Sequence, residues 1–246
     1  MRGASSACVK LMVFYSALLG FPVLDFHFEA SREQMIAQQI RAAGVLREKT
    51  LALFREVPRE AFVPERYRTL AFADCEIPIG HGESMMSPTV EGQCLDALDL
   101  QPGDRILEIG TGSGFLTACL ARLGRRVTTV DLNADFIDQA RLRHQSIGGL
   151  APIDYSVEDG HHLPESLSGE TFDVIVLTGS LYLPDLSFKR ALAPGGRLWM
   201  VLGTGPIQEA HRIERVGAAA YDDRILFETR LKPLTHQPEP QKFRFA

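Results

Sequence analysis

The stretch Ile106-Leu-Glu-Ile-Gly-Thr-Gly-Ser-Gly-Phe115 decides the fold of this 246-residue chain. A short hydrophobic run leads into three glycines at every second position, and residues 115–123 then show helical periodicity. The pattern predicts a strand, a tight turn and a helix, because glycine lets the backbone bend sharply and approach a ligand closely. The spacing is GxGxG rather than the GxGxxG of dinucleotide sites, and a turn without a ligand is the alternative interpretation.

Downstream of the glycines, predicted strands alternate with predicted helices. Strands are predicted at residues 105–109, 127–131, 153–157, 173–178, 197–202 and 224–231. Helices are predicted at residues 115–123, 134–145 and 181–192. This alternation predicts an α/β fold whose doubly wound, mostly parallel sheet is covered by helices on both faces.

The chain before the glycines is predicted to be helical and then irregular. Ser31-Arg-Glu-Gln34 fits the start of a helix, and residues 46–57 have an amphipathic pattern that Pro58 ends. Prolines then interrupt the chain up to residues 80–92, GHGESMMSPTVEG, a segment that resembles neither a helix nor a strand. Within and after this segment, residues 90–98 are predicted to form a helix that leads to the glycine unit.

Composition narrows the classes of protein that fit. The formal net charge of −5 offers no broad cationic surface, so we expect no nucleic-acid partner. Cys8, Cys75, Cys94 and Cys119 form no CxxC pair, so we expect neither a metal site nor a disulfide framework, and a cytoplasmic location suits them.

Residues 11–24 are apolar but short for a membrane span. We favour a poorly ordered extension there over a signal peptide, and expect no membrane partner.

Acidic residues follow the second and third predicted strands. Asp131 could accept hydrogen bonds from both hydroxyls of a ribose, and Asp159 could bind the exocyclic amine of an adenine. A helix cap and a plain Asp-Gly turn are the respective alternatives. His161 and His162 either line the ligand pocket or lie in a solvated loop, and we favour the loop. Because the carboxyl ends of parallel strands share one edge of the sheet, we expect the two acids to lie near the glycines.

These acids, together with Glu108 before the glycines, resemble the pattern of class I S-adenosylmethionine-dependent methyltransferases. The resemblance implies S-adenosylmethionine as the cofactor, with Glu108 near its methionine end, Asp131 at the ribose and Asp159 at the adenine. The implied cofactor-binding residues are Glu108, Gly110, Thr111, Gly112, Gly114, Asp131, Leu132, Asp159 and Gly160.

Further segments resemble one family, the protein-L-isoaspartate O-methyltransferases. They read VPREAFVP at 57–64, AFAD at 71–74, EIPIG at 76–80, MIAQQI at 35–40, and PGGR at 194–197. The resemblance spans residues 31–203 and implies methyl transfer to the carboxylate of L-isoaspartyl residues in damaged proteins or peptides. It also implies an N-terminal helical cap with an acceptor loop over 31–100 and a cofactor-binding Rossmann-like domain over 101–234. From composition we expect a poorly ordered extension over residues 1–30 and a loose tail over 235–246. We expect a monomer.

The acceptor loop departs from the family pattern. Where the family commonly reads GQTISQP, residues 82–88 read GESMMSP, which places Met86 where a serine is usually implicated near the reacting carboxylate. Ser84 stands for the threonine and Ser87 lies one position late. We expect Ser84 and Ser87 to contact the acceptor and Met86 to offer adaptable apolar surface, with His81 able to face the substrate.

The departure leaves two other hypotheses open. One is a diverged methyltransferase that acts on a small carboxylate, another metabolite or another protein site. The other is a non-catalytic module that binds S-adenosylmethionine. Loss of the serine need not abolish methyl transfer, because a carboxylate is already ionised at neutral pH and alignment of the reactants can supply the catalysis.

Overall fold

The computed structural model describes residues 23–238. The predictions for Cys8, for most of the apolar segment 11–24 and for residues 239–246 therefore lie outside the described residues. Within the described part, no helix is both long and apolar enough to cross a membrane.

Helices dominate the first part of the described chain and then alternate with strands. The α-helices are Val23–Met35 (α1), Glu48–Glu56 (α2), Pro88–Leu98 (α3), Phe115–Leu123 (α4), Ala134–Gln145 (α5) and Leu186–Arg190 (α6). A π-helical turn, Ile36–Ile40, continues α1, and short 3-10 turns lie at Arg59–Ala61, Glu65–Leu70 and Glu165–Leu167. Helix α3 begins with a proline, which is tolerated there because the first turn of a helix has no partner for that N–H.

The strands form a two-stranded hairpin and a seven-stranded sheet. They are Ile77–Gly80 (β1), Glu83–Met85 (β2), Arg105–Ile109 (β3), Arg126–Asp131 (β4), Ile153–Val157 (β5), Phe172–Leu181 (β6), Leu192–Leu202 (β7), Gln208–Arg215 (β8) and Tyr221–Thr229 (β9). The spatial order is β5-β4-β3-β6-β7-β8-β9; β3 to β7 are parallel, and β8 and β9 are antiparallel additions. The chain changes direction across the sheet at β3 and β6, which is where open α/β sheets form a ligand crevice.

Successive residues of β3 enter two different hydrophobic layers. Ile106 packs in the larger cluster, which includes the N-terminal helices, whereas Leu107 and Ile109 pack in the cluster on the opposite face. Because side chains alternate along a strand, Glu108 points to the same side as Ile106, and it is fully buried there. The strand that carries the glycine turn is thus fixed by apolar packing on both faces.

Several predicted elements match the structure and others differ from it. Strands β3 and β5 and helices α4 and α5 have the predicted bounds. The helix start at Ser31 is wrong, since α1 begins at Val23 and Ser31 lies inside it. The helix predicted over 181–192 is also wrong at its start, because β6 continues to Leu181 and pairs with β7 as far as Leu202.

The segment GHGESMMSPTVEG is not irregular, which corrects the prediction. It contains the turn of the β1–β2 hairpin, all of β2 and the beginning of α3. His81 and Gly82 form the two-residue turn, with φ values of 51° and 73°. Hairpin turns of this kind need positive φ at both central positions and usually carry Asn-Gly, so His-Gly gave a weak signal.

The chain after β9 is held against β6. Leu234 donates its backbone N–H to Ser180 O at 2.9 Å, and Gln237 bonds both Ser180 O and the N–H of Tyr182. Residues 235–237 therefore differ from the predicted loose tail. Strand β8 was not predicted, since its buried positions include Gln208 and Ala210 and its hydrophobic pattern is weak.

Arg59, which belongs to the VPREAFVP segment, joins the N-terminal helices to the rest of the fold. Its guanidinium is fully buried and donates to Ala71 O at 2.9 Å, to Met86 O at 2.7 Å and to the carboxylate of Glu91. It also lies 4.9 Å from the ring centroid of Phe115, the first residue of α4. Burial raises the pKa of Glu91, and the charge of Arg59 partly offsets that rise.

We expect Arg59→Met to lower the free energy of unfolding by about 3–5 kcal/mol, because it leaves the Glu91 carboxylate buried without its partner. Denaturant titration measures this loss. The matched control is Arg55→Met, which removes only exposed ion pairs with Glu33 and Glu48 and should cost about 1 kcal/mol or less. Equal losses in the two variants would contradict the importance of the buried pair.

Candidate functional site

One cavity lies at the carboxyl ends of β3, β4, β5 and β6. It encloses about 840 Å³ of empty space, including its open mouth. The glycine turn and the loops after β4 and β5 form one side, and the β1–β2 hairpin and residues 231–235 form the other. The cavity therefore brings together the two regions that the sequence patterns assigned to the cofactor and to the acceptor.

The glycine turn is shaped by close neighbours. A Cβ at position 110 would lie only 2.1 Å from Oγ1 of Thr178, and the backbone there has φ +94°. Gly112 has φ +49° and faces Ile79 of the hairpin across a narrow gap. Both glycines line the cavity. A side chain at position 110 would clash with β6 and fill the space beside the turn, so this position requires glycine.

Two other residues predicted in the turn, Thr111 and Gly114, do not line the cavity. The hydroxyl of Thr111 lies 2.6 Å from that of Thr129 and is buried between β3 and β4. Gly114 precedes α4 with φ +85°, and a Cβ there would approach Ala140 of α5 to 2.8 Å. These two residues therefore support the turn on the side that faces away from the cavity.

Asp131 stands at the end of β4, beside the glycine turn. Its two carboxylate oxygens accept backbone N–H groups from Gly112 and Asn133, each at 2.9 Å. Burial raises the pKa of Asp131, and these two hydrogen bonds oppose the rise. Asp131 and Leu132 both line the cavity. The carboxylate is thus held in one orientation at the position predicted for the ribose.

Asp159 and Gly160 line the cavity after β5. One oxygen of Asp159 accepts from the N–H and the ring of His161, and the other lies 2.7 Å from Nδ1 of His236. Burial opposes ionisation, but the hydrogen bonds from the two histidines outweigh it and lower the pKa of Asp159 to about 2. A Cβ at Gly160 would lie 2.4 Å from Cγ2 of Ile109, so glycine is needed where this loop crosses β3.

The histidines are placed differently from the predictions. His161 lines the cavity, so the solvated-loop interpretation is wrong for it, whereas His162 is exposed. His81 is also exposed, 3.1 Å from a carboxylate oxygen of Asp135, and does not line the cavity. His236 comes from the segment predicted to be loose, and no local signal in the sequence connected it with Asp159.

Glu108 lies behind the cavity rather than among the residues that line it. One carboxylate oxygen accepts from the hydroxyls of Thr117, at 2.5 Å, and Thr129, at 2.7 Å. The other oxygen is buried and has no partner among the described residues. Burial raises the pKa of Glu108 to about 8, although the two hydroxyls lower it in part. A buried acceptor without a protein partner is commonly satisfied by a ligand group or by water.

The structure separates the three residues predicted to face the acceptor. Ser84 and Met86 line the cavity, and Met86 is held by the bond from Arg59 to its backbone carbonyl. Ser87 does not line the cavity; its hydroxyl lies 3.2 Å from that of Thr89 at the start of α3. Of these two serines, Ser84 alone brings its hydroxyl to the cavity.

Three features that contribute to the cavity were missed from the sequence. They are Thr178, which contacts the glycine turn, Arg59, which holds Met86, and residues 231–235, which form a wall. Arg59 could have been noticed as the one basic residue in the VPREAFVP segment. The other two depend on contacts between parts of the chain that are distant in sequence.

The residues present fit S-adenosylmethionine in chemical type. The glycine turn leaves the backbone accessible, Asp131 offers an oriented carboxylate beside it, and Glu108 keeps one buried oxygen without a partner behind the cavity. Fixed donors and acceptors of this kind, placed around a partly apolar cavity, are typical of cofactor sites.

Comparisons with known proteins agree with this chemistry. The family model for protein-L-isoaspartate(D-aspartate) O-methyltransferase matches residues 30–239. Protein-L-isoaspartate O-methyltransferase 1 of Rhodopseudomonas palustris (strain HaA2) is 41% identical over 197 residues, which cover 80% of this chain and 78% of that protein. The Aeropyrum pernix protein-L-isoaspartate O-methyltransferase is 32% identical over 211 residues, covering 84% and 80%.

The fold has a solved counterpart. A crystal structure from Plasmodium falciparum, described as a beta-aspartate methyltransferase (PCMT) with S-adenosyl-L-homocysteine, superposes with a TM-score of 0.73 at 18% identity. The match covers 85% of this chain and 99% of that one, and confirms the predicted class I methyltransferase fold. The sequence relatives and the family model lead to one conclusion: the chain belongs to the protein-L-isoaspartate(D-aspartate) O-methyltransferase family.

Proposed function

We propose that this protein methylates the carboxylate of L-isoaspartyl residues in damaged proteins or peptides. The observation that carries the proposal is the single cavity shared by Gly110, Gly112 and Asp131 on one side and Ser84 and Met86 on the other. The sequence relatives support this choice of acceptor, because they are named protein-L-isoaspartate O-methyltransferases.

The cofactor would be held by residues that already have fixed orientations. Gly110 and Gly112 leave room for it, Asp131 would accept from its ribose, Asp159 would accept from its adenine, and Glu108 would accept from its ammonium group. When bound, S-adenosylmethionine supplies a methyl group on a sulfonium, and the carbon–sulfur electron pair stays with sulfur as the acceptor oxygen bonds the carbon.

The protein's own contribution on the acceptor side is positioning. An acceptor carboxylate is ionised at neutral pH and needs no general base. Ser84 can donate to it, while Met86 supplies apolar surface that displaces water from the reaction site. Alignment of nucleophile, carbon and leaving group can then provide most of the rate enhancement.

The wider organisation follows from the same proposal. Residues 31–100 act as the cap that carries the acceptor hairpin, and residues 101–234 act as the cofactor-binding unit. We further propose a cytoplasmic monomer without nucleic-acid or membrane partners, supported by the net charge of −5 and by the free thiols of Cys75, Cys94 and Cys119.

A direct test is methyl transfer to a peptide that contains one isoaspartyl residue, compared with its normal aspartyl isomer. We expect methylation of the isoaspartyl peptide only, measured with radiolabelled S-adenosylmethionine. Equal methylation of both isomers would reject the repair assignment. Cofactor binding without methylation of any acceptor in crude lysate would indicate a non-catalytic module instead.

We expect cofactor binding at pH 7 to release a proton from Glu108. Its raised pKa of about 8 keeps the carboxyl mostly protonated in the free protein, and a nearby ammonium group favours the ionised form. Calorimetry in buffers of different ionisation enthalpy measures the release, which should be lost in Glu108→Gln. The control Asp131→Asn should weaken binding by about 1.5–3 kcal/mol but keep the release. The same release in wild type and Glu108→Gln would contradict this role.

A diverged acceptor preference is the second candidate function, because Met86 lines the cavity where the family usually has serine. Under that hypothesis Met86→Ser should raise kcat/KM for the isoaspartyl peptide about two- to tenfold, the range expected for one new hydrogen bond. The control is Met85→Ser, a buried neighbour that does not line the cavity. An unchanged or lower kcat/KM in Met86→Ser would contradict the diverged preference and favour the isoaspartyl residue as the native acceptor.

A further inference from the structure

The cavity has a strongly uneven charge distribution. Among the described residues that line it, Lys232 is the only lysine or arginine, whereas five carry carboxyl groups. The five are Glu76, Glu83, Asp131, Glu158 and Asp159. Such a lining suits a cationic cofactor but repels an anionic acceptor, so a carboxylate that enters needs a local positive charge.

Lys232 lies on the acceptor side of this cavity. Its Nζ is 2.5 Å from a carboxylate oxygen of Glu83 and 3.1 Å from the carbonyl oxygen of Gly82, in the hairpin that also carries Ser84. Its backbone is fixed at the other end, because Ser180 N donates to Lys232 O at 3.0 Å. The ammonium group is thus held near the acceptor hairpin by a main chain anchored on β6.

The pairing with Glu83 leaves the ammonium group available. The side chain of Lys232 is 52% exposed, and exposed ion pairs contribute little to stability. An incoming carboxylate can therefore exchange with Glu83 at small cost. On the hairpin side the serine donors are reduced to Ser84, because Met86 stands where a serine is expected and the hydroxyl of Ser87 bonds Thr89.

We propose that Lys232 anchors the acceptor carboxylate through its ammonium group, with Ser84 as a second donor. The assignment rests on the proposed function, since it names the group that recognises the carboxylate to be methylated. It also provides a way to release the product, because the methyl ester is neutral and no longer competes with Glu83 for the lysine.

The test compares three variants in the isoaspartyl-peptide assay. Lys232→Met should raise KM for the peptide about tenfold, with a smaller change in kcat, because it removes one charge-assisted hydrogen bond at a partly exposed site. Lys232→Arg should keep KM close to the wild-type value. Glu83→Gln should lower KM, since it frees the ammonium group for the acceptor. A purely structural role for the lysine does not predict opposite effects of Lys232→Met and Glu83→Gln.

Binding of S-adenosylhomocysteine, measured by calorimetry, should be unchanged in Lys232→Met and Lys232→Arg and confirms that both variants are folded. Wild-type activity with an unchanged KM in Lys232→Met would overturn this assignment alone, as would equally raised KM values in the methionine and arginine variants. Failure of the wild-type protein to methylate the isoaspartyl peptide would overturn the proposed function and this assignment together.

Discussion

The buried guanidinium of Arg59 is the interaction on which the geometry of the cavity depends. It binds the carbonyls of Ala71 and Met86, the carboxylate of Glu91 and the ring face of Phe115. These partners lie in the segment before β1, just after the β1–β2 hairpin, in α3 and in the helix that follows the glycine turn. A buried charge is tolerated only when its donors are well satisfied, so the four parts are held in one arrangement. Acceptor and cofactor surfaces therefore have a fixed separation.

The two carboxyl groups of Glu108 and Asp159 differ in their protonation because their surroundings differ. Glu108 sits in an apolar layer, where desolvation favours its neutral form, while Asp159 is stabilised as an anion by His161 and His236. The difference comes from position: Glu108 lies inside strand β3 and is fully buried, whereas Asp159 lies in the loop after β5. Burial therefore favours the neutral form of Glu108, while the two histidines favour the ionised form of Asp159.

The predictable parts of this protein are those set by short-range patterns. The bounds of β3 and α4 follow from hydrophobic periodicity around the glycines, and Asp131 and Asp159 reach the cavity because parallel strands end at one edge. The hairpin turn at His81 and Gly82 was missed because its left-handed conformation lacks the usual residues. Ser87 does not line the cavity, because the proline that follows it begins helix α3. Lys232 could not be predicted, since its contacts depend on the path of β8 and β9.

The wall formed by residues 231–235 has a consequence for folding order. Lys232 and Gly82 are 150 residues apart in sequence, and contacts across such distances form late because closing the intervening chain costs entropy. The sheet can be complete before this wall joins it. The wall is held to the sheet through β6, where Leu234 N donates to Ser180 O, and through β8, where Gln208 Oε1 accepts from Leu231 N. The side of the cavity that forms last is therefore the side whose position depends on β6 and β8 already being in place.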